Sequence, residues 1–379
     1  MKILYFGSYD NDYIRNVINI KGLRLNLVDV IVCNFYKRKL FIASEYSKIT
    51  YLIRISTSLF YRSIYLFFKG IIIIIKQKIS YIIIGFPGHL DIPIGYLIAK
   101  ITGSKIIFDP FISLYDTFVT DRKIFSTDSL ISKSIKKYET AIYKLPDLIL
   151  THTETDKLYF SKSFKIPLNK IKVLYIGSDN LTQKTTALTG KSSDFSVVYQ
   201  GNFIPLHGIE HIIHSAFILS QIDKKIKFIF VGNGQTYQEN FNLANILKLR
   251  NVVFKGFVSI YDWKKTINKA DIILGIFQNS VKASKSIPNK VIQGIAAKKA
   301  VITAETTAIK ELFNHFENMY FCKPADPLSL ANGILELKRN SNLRNKIAYN
   351  GNKIYKNKLT PISVGRELLT ICNEFQNSN

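Results

Sequence analysis

Three cysteines in 379 residues, Cys33, Cys322 and Cys372, are too few and too scattered for a disulfide framework or a zinc site. Such sparse thiols fit a reducing compartment, and we expect a cytoplasmic protein. Acidic residues are also scarce, since 27 Asp and Glu stand against 52 Lys and Arg and the formal net charge is +25. This deficit excludes a neutral surface and predicts attraction to anions such as phosphorylated ligands, anionic lipid or nucleic acid.

Long uncharged apolar runs and a signal peptide are missing as well. The isoleucine run Gly70–Ile75 is flanked by Lys69 and Lys76, and the apolar stretch Tyr81–Ala99 contains Asp91. Neither reaches the ~18 uncharged residues of a transmembrane helix, so no such helix is expected. The N-terminus, MKILYFGSYDND, is typical of a first β-strand and lacks the apolar core of a signal peptide.

The sequence is rich in short β-branched runs that alternate with helical patterns. Hydrophobic residues make up 47% of the chain, which excludes wholesale disorder. Runs such as KILYF, YIII and KIIF in the first half, and SVVYQ, KFIFV and AVITA in the second, are separated by helical segments of ~10–20 residues. This pattern predicts an α/β fold built from parallel βαβ units.

A polar interruption divides the chain into two predicted domains. Residues 180–194, NLTQKTTALTGKSSD, are rich in Thr and Ser and indicate a linker. We predict one Rossmann-like domain over residues 1–183, a second over residues 184–361, and a C-terminal helix, residues 362–379, that packs back on the first. Because ligands bind at the carboxyl ends of parallel strands, we expect the two domains to face a cleft that holds the site.

Three loops of the second half follow strands and carry candidate ligand residues. Gly201–Gly208, GNFIPLHG, precedes a helix whose N-terminus favours a phosphate. Gly232 and Gly234, in FVGNG, allow a ligand to approach the backbone closely. Lys290 and Gln293 share a face at the start of a helix and suit a diphosphate and a ribose. The alternatives are an ordinary βα turn and a solvated helix start.

In their order these loops resemble the motifs of the retaining glycosyltransferases of family 4, the group 1 glycosyl transferases with the two-domain GT-B fold. The family's Gly-Arg-x4-Lys-Gly loop corresponds to Gly201, Asn202, His207 and Gly208. Its segment that packs on the nucleotide base is similar to the one around Phe257. The resemblance is close over residues 196–351 and looser over the first half.

The charged residues of the family are replaced at four positions. Its Arg is Asn202 here, its Lys is His207, and the glutamates of its Glu-x7-Glu motif fall on Lys285 and Gln293. Because an asparagine cannot neutralise a diphosphate, two alternatives stay open. Either Lys285 and Lys290 take over, or the chain is a degenerate member of the family.

The first half offers candidate residues for the donor sugar and the acceptor. Asp109 stands where the family often has a His facing the donor sugar, and Asp116 follows in the next loop. Carboxylates there could orient acceptor hydroxyls or act as a base, so both are predicted to be catalytic. Gly7 and Ser8 resemble the family's loop that touches the donor phosphate and the acceptor. The alternative for Asp109 is a turn cap before Pro110.

Basic and aromatic residues interleave over Tyr51–Lys78, after the basic run Tyr36–Lys39. Such a stretch suits an anionic membrane surface, and the alternative is a helix buried on the sheet with a solvated basic face. Many members of the resembled family act at the inner membrane face, so the resemblance implies a peripheral location there. Codon bias is a further source of lysine excess.

The resemblance implies a retaining glycosyltransferase that moves a sugar from a nucleotide-sugar donor, expected to be a UDP-sugar, to a saccharide or lipid-linked acceptor. Cell-surface polysaccharide, lipopolysaccharide or glycolipid synthesis is the expected context. No metal or other cofactor is expected, because helix N-termini and basic side chains would hold the diphosphate. The alternatives are an inactive nucleotide-sugar-binding or scaffold subunit and a GT-B epimerase. No nucleic-acid partner is expected, since no recognition motif supports one.

Overall fold

The computed structural model describes residues 1–35, 48–181 and 194–377, with no side-chain description for residues 48–57 and 377. Most of the predicted linker, all of the basic run Tyr36–Lys39 and the side chains at the start of Tyr51–Lys78 lie outside the described residues. The chain forms two compact units. Unit 1 comprises Met1–His152, Lys157–Tyr175 and Pro361–Asn379, and unit 2 comprises Thr153–Asp156 and Ile176–Thr360.

Unit 1 is built on a six-stranded parallel sheet of order β2-β1-β3-β4-β5-β6. Its strands are β1 (Lys2–Gly7), β2 (Asp29–Asn34), β3 (Tyr81–Ile84), β4 (Lys105–Phe108), β5 (Leu148–Thr151) and β6 (Ile171–Val173). The helices along this part of the chain are α1 (Ile14–Leu25), α2 (Lys48–Gln77), α3 (Ile92–Thr102), α4 (Leu130–Ile142) and α5 (Glu154–Phe164).

Unit 2 repeats this architecture with a second six-stranded parallel sheet, of order β12-β11-β10-β7-β8-β9. The strands are β7 (Phe195–Gln200), β8 (Ile226–Val231), β9 (Val252–Phe254), β10 (Ile272–Leu274), β11 (Ala300–Ala304) and β12 (Tyr320–Cys322). The helices are α6 (Ile209–Ile222), α7 (Tyr237–Ile246), α8 (Ile260–Lys269), α9 (Val281–Ser284), α10 (Asn289–Ala296), α11 (Pro327–Arg339), α12 (Ser341–Ile354) and α13 (Pro361–Asn377), of which α13 belongs to unit 1. The predicted α/β class with two parallel sheets is confirmed.

Both faces of the first sheet are covered, which explains its continuous apolar runs. Leu4 and Phe6 of β1 point into one core with residues of α2 and α3, while Ile3 and Tyr5 point into a second core with residues of α1 and α13. Strands β3 and β5, which are buried at every position, therefore have no polar face.

Helix α2 is only partly covered by unit 1. Leu66 and Ile74 are buried in the core, but Phe68 is 59% exposed and Ile75 is 66% exposed. The stretch Ser58–Gln77 has a mean hydropathy of 1.7 and is long and apolar enough to cross a membrane, with 22% of it buried. The lysines that flank its isoleucine run are the reason that the sequence predicts no transmembrane helix here. By length and mean hydropathy, however, the stretch meets the requirement for one. The core helix of a soluble protein passes the same test.

Candidate functional site

The loops that follow β7 and β8 touch each other at the carboxyl edge of the second sheet. Gly201, Gly232 and Gly234 all have positive φ, at 129°, 125° and 154°. A Cβ on Gly232 would lie 2.0 Å from the Gly201 carbonyl oxygen, and one on Gly234 would lie 2.6 Å from that of Phe203. The glycines at 232 and 234 therefore permit close contact between the two loops. The sequence predicted a different reason for these glycines, the close approach of a ligand to the backbone.

His207 is held within this edge as a neutral imidazole. Its Nδ1 is 2.7 Å from the Tyr199 hydroxyl and also lies within hydrogen-bond distance of the Asn202 carbonyl oxygen. Burial, and then the charges of Lys290 and Lys282, hold the pKa of His207 well below its ordinary value. His207 therefore does not replace the positive charge that the family's lysine would carry.

Lys290 carries a buried amine without a hydrogen-bond partner among the described residues. It is 5% exposed, and its Nζ lies 4.0 Å from the centre of the Tyr199 ring. Burial lowers the pKa of Lys290 well below its usual range. A Cβ at Gly201 would be 3.2 Å from this Nζ, so the ammonium sits directly beside the first glycine loop. An unpaired buried amine is costly, and a bound anion would relieve that cost.

The start of α10 presents further donors next to Lys290. The residue before the helix is Pro288, and no side chain caps the helix N-terminus. The free N–H groups and the helix dipole favour an anion at this end. Lys290 and the first turn of α10 thus combine two independent attractions for negative charge.

Lys285 is placed differently from Lys290. Its side chain is buried, and its Nζ lies 3.4 Å from Oδ1 of Asp156 in the short segment that belongs to unit 2. The Thr153 hydroxyl donates a hydrogen bond to the Lys285 carbonyl oxygen at 2.7 Å. Its charge is therefore already balanced, which leaves Lys290 as the better candidate for a diphosphate.

Gln293 is fixed by two residues that the sequence did not single out. Its Oε1 accepts a hydrogen bond of 2.9 Å from Nε2 of Gln200, the last residue of β7. Oε1 of Gln200 in turn accepts from the indole N–H of Trp263. Gln200 could have been found from the sequence, because it is a polar residue at the carboxyl end of a central strand. The contact of Trp263 with Gln200 is visible only in the fold.

Phe257 follows β9 and is 77% exposed. It borders a cavity of about 580 Å³ whose other lining residues include Lys255, Val258 and Ser259. Gly256, just before it, has a φ of 62° and so turns the chain sharply after the strand. The exposed ring is available to stack on a planar ligand.

Asp109 is part of a buried ion pair in unit 1. It is 0% exposed, with Oδ2 accepting from Nε of Arg15 at 2.8 Å and from Nδ2 of Asn19 at 2.9 Å. Oδ1 accepts from Nη2 of Arg15 at 3.1 Å. Since both oxygens are engaged, the geometry favours a structural role, and the predicted catalytic role has no support in these contacts.

Asp116 is also buried and engaged. It opens a π-helical turn, Asp116–Asp121, and its Oδ1 accepts from the hydroxyl of Tyr159. The hydroxyl of Thr120 donates to the Asp116 backbone carbonyl at 2.7 Å. As with Asp109, its catalytic role stays a prediction.

Gly7 and Ser8 enclose a carboxylate that the sequence analysis did not assign. Both the backbone N–H and the hydroxyl of Ser8 donate to Asp91, at 2.7 and 3.0 Å, and Arg62 lies 3.5 Å from it. Burial raises the pKa of Asp91, an effect that Arg62 and Ser8 oppose. A Cβ on Gly7 would approach Oδ2 of Asp91 to 2.8 Å, which explains the glycine.

Comparison with known proteins places these features in context. Residues 183–354 match the model of the family described as "Glycosyl transferases group 1". The capsular polysaccharide biosynthesis glycosyltransferase CapM of Staphylococcus aureus is 24% identical over 284 residues, which cover 68% of this chain and 72% of CapM.

Among solved structures, HepE of Anabaena in complex with UDP-glucose superposes with a TM-score of 0.71 at 16% identity, covering 99% of this chain and 100% of HepE. Sucrose-phosphate synthase of Thermosynechococcus elongatus gives a TM-score of 0.72 at 12% identity, covering 100% of this chain and 99% of that enzyme. These likenesses show the GT-B fold. Within the described residues, no group of three or more His, Cys, Asp or Glu could hold a metal ion.

Proposed function

We propose that this chain, whose residues 183–354 match the model of the group 1 glycosyl transferases, transfers a sugar from a UDP-sugar to a saccharide or lipid-linked acceptor with retention of configuration. The HepE structures contain UDP, UDP with glucose, and UDP-glucose, which supports a uridine donor. The name of CapM supports a role in cell-surface polysaccharide synthesis.

The observation that carries the proposal is the buried, unpartnered ammonium of Lys290 beside Gly201. In the proposed complex the donor diphosphate lies against this side chain and the uncapped N-terminus of α10. Stabilisation of the charge that develops on the leaving diphosphate supplies much of the rate, and we propose that it needs no metal. Lys290 thereby compensates for Asn202 and the neutral His207.

The remaining donor residues would fix the nucleoside. The hydrogen bond from Gln200 orients the oxygen of Gln293, so a ribose hydroxyl would accept from Nε2 of Gln293. The exposed ring of Phe257 would stack on the base, an interaction worth about 1–3 kcal/mol per base. Both contacts would favour the binding of a nucleotide over that of free phosphate.

We propose that the acceptor is reached at the cytoplasmic face of a membrane. Support comes from the apolar residues exposed on α2 and α3, among them Phe68, Ile75 and Ile101, which is 61% exposed. Lys69 and Lys76 on α2, with Lys100 on α3, add positive charge to these helices. Apolar and basic residues together suit an interface with anionic lipid.

An inactive nucleotide-sugar-binding subunit is the second candidate function. It is favoured by the loss of the family's Arg at Asn202 and by the pairing of Lys285 with Asp156. The two candidates differ in turnover and not in donor binding, because Lys290 serves both.

The test is a panel of UDP-, GDP- and dTDP-sugars, assayed for binding and for transfer to acceptors in a membrane extract. We expect transfer from a UDP-sugar, and a loss of donor affinity of about 10- to 100-fold in Lys290→Ala, as for the loss of one charged hydrogen bond. The exposed Lys346→Ala is the matched control and should retain affinity. Binding without transfer supports the inactive subunit, and no binding to any donor refutes both candidates.

A further inference from the structure

A lysine-rich pocket lies along α4 in unit 1, and its lining includes none of the site residues assigned above. It has a volume of about 530 Å³. Its lining residues are four lysines, three hydroxyl-bearing residues and an alanine: Lys133, Lys136, Lys137, Lys144, Tyr115, Thr127, Thr140 and Ala141. None of these described lining residues is acidic, so the pocket combines cations with hydroxyl donors.

The helical period places the lysines on one face of α4 and just beyond its end. Lys133, Lys136 and Lys137 are three and four residues apart, and Lys144 follows seven residues after Lys137. Like charges at these spacings destabilise a helix by about 0.2–0.5 kcal/mol per pair. In the described part of the chain, no ion pair offsets the charge of Lys133, Lys137 or Lys144, so the repulsion persists in the unliganded protein.

The single carboxylate of α4 is turned away from this face. Glu139 is 0% exposed and accepts hydrogen bonds from the backbone N–H groups of Leu114 and Tyr115 at 2.6 and 3.0 Å. It also accepts from the hydroxyl of Ser113 at 2.8 Å. Its negative charge is thus used to fix the loop before α4 and does not neutralise the lysines.

Aromatic rings hold the fourth lysine in the wall of the pocket. Nζ of Lys136 lies 3.9 Å from the centre of the Phe164 ring and 5.0 Å from that of Tyr115. Cation–π contacts of this kind orient an ammonium group. The pocket therefore has one lysine held against aromatic rings and three further lysines in its lining.

We propose that this pocket binds a phosphate group. A phosphate carries up to two negative charges and several acceptor oxygens, which match the ammonium groups and the hydroxyls of Thr127 and Thr140. The group belongs either to a lipid headgroup or to a soluble phosphorylated ligand, since both present the same chemistry. The site lies in unit 1 and does not rest on the proposed donor site in unit 2.

The test measures the rate at which each lysine of the intact chain reacts with an acylating reagent. The labelled chain is then digested, and mass spectrometry of the peptides gives the rate for each residue. The soluble probe is inorganic pyrophosphate, and the lipid probe is vesicles of phosphatidylglycerol, compared with sodium chloride of equal ionic strength and with phosphatidylcholine vesicles. We expect at least threefold protection of Lys133, Lys137 and Lys144 by one or both probes. The exposed Lys224, Lys323 and Lys346 of unit 2 should be unprotected.

A charge-reversal variant makes the test independent of the labelling chemistry. With UDP filling the proposed donor site of unit 2, Lys133→Glu/Lys137→Glu/Lys144→Glu should lose pyrophosphate binding and weaken vesicle binding. Lys224→Glu/Lys323→Glu/Lys346→Glu, with the same change in net charge, should keep both. Protection by pyrophosphate identifies a soluble ligand, and protection by phosphatidylglycerol alone identifies a headgroup. Equal protection in sodium chloride, or none with either probe, overturns the proposal. Donor binding in unit 2 should be unchanged in both variants.

Discussion

Lys290, the residue proposed to hold the donor diphosphate, is buried at a cost in stability. Its amine is buried without a hydrogen-bond partner in the described structure, and burial holds its pKa well below the ordinary value. The unfolded chain, with a lysine pKa of about 10.4, binds the proton more tightly than the folded chain. At neutral pH this difference favours unfolding, and the destabilisation disappears only as the pH rises through the unfolded-state pKa.

Replacing Lys290 with methionine should therefore stabilise the free protein. Methionine has a similar length and no polar group to bury, so we expect the free energy of unfolding to rise by about 1–3 kcal/mol. The melting temperature should rise by roughly 2–4 °C per kcal/mol, while the further rise on addition of UDP should become smaller. Differential scanning calorimetry with and without UDP measures both, with Lys346→Met as the control. A lower melting temperature for the variant would show that Lys290 is stabilising.

Binding of the donor diphosphate should take up a proton. A dianionic group beside Lys290 raises the pKa of its amine, so the complex binds this proton more tightly than the free protein does. Affinity for UDP should consequently fall as the pH rises through the lowered pKa of the free amine, by at most tenfold per pH unit. Calorimetry in two buffers of different ionisation enthalpy counts the protons. The same uptake in Lys290→Met would assign it to another group.

At the scale of elements, the crossing of α1 and α13 depends on two glycines. A Cβ on Gly365 would lie 2.0 Å from the carbonyl carbon of Gly22, and one on Gly22 would lie 2.2 Å from the carbonyl oxygen of Pro361. The helices thus approach backbone to backbone, and Tyr81 of β3 donates a hydrogen bond to the Cys372 carbonyl oxygen at 2.8 Å. This contact ties the C-terminal helix to unit 1.

Gly365→Ala should loosen this helix pair. The added methyl group has no room, so the helices must separate, at a cost of about 1–3 kcal/mol. We expect a lower melting temperature for unit 1 and faster amide hydrogen exchange in α13, measured by mass spectrometry. Thr370→Ala, at an exposed position of the same helix, is the control. Unchanged exchange in Gly365→Ala would mean that the crossing tolerates the methyl group.

For the whole molecule, the excess of positive charge is spread along the chain. Residues 1–190 carry 27 basic and 14 acidic side chains, so each half contributes about equally to the net charge of +25. The exposed apolar residues of α2 are more local, since Phe60, Phe68, Ile72 and Ile75 lie on one helix of unit 1. The net charge supplies a general attraction to anions, while α2 would determine which surface of the protein contacts a membrane.

Polar substitution of α2 should therefore weaken association with phosphatidylglycerol vesicles. We expect Phe68→Ser/Ile72→Ser/Ile75→Ser to lose most of the binding in a sedimentation assay with little change in melting temperature, because the three side chains are more than half exposed. High salt should weaken the remaining, electrostatic part. The control is Ile222→Ser/Ile246→Ser/Leu328→Ser, at similarly exposed apolar positions of unit 2. Equal loss in both variants would remove α2 from the proposed interface.

The sequence by itself determined the α/β class and the two parallel sheets, because the period of its apolar runs is a local property of neighbouring residues. It also located the glycine loops and Lys290, since each stands next to a strand or helix end that the pattern marks. Only the tertiary structure decided what these residues do. Arg15 and Asp109 are 94 positions apart, and Lys285 meets Asp156 across 129. Whether a charged side chain is paired or left alone depends on such distant partners. This is why Asp109 is engaged in an ion pair, and why Lys290 is a better candidate than the paired Lys285 to meet an anion.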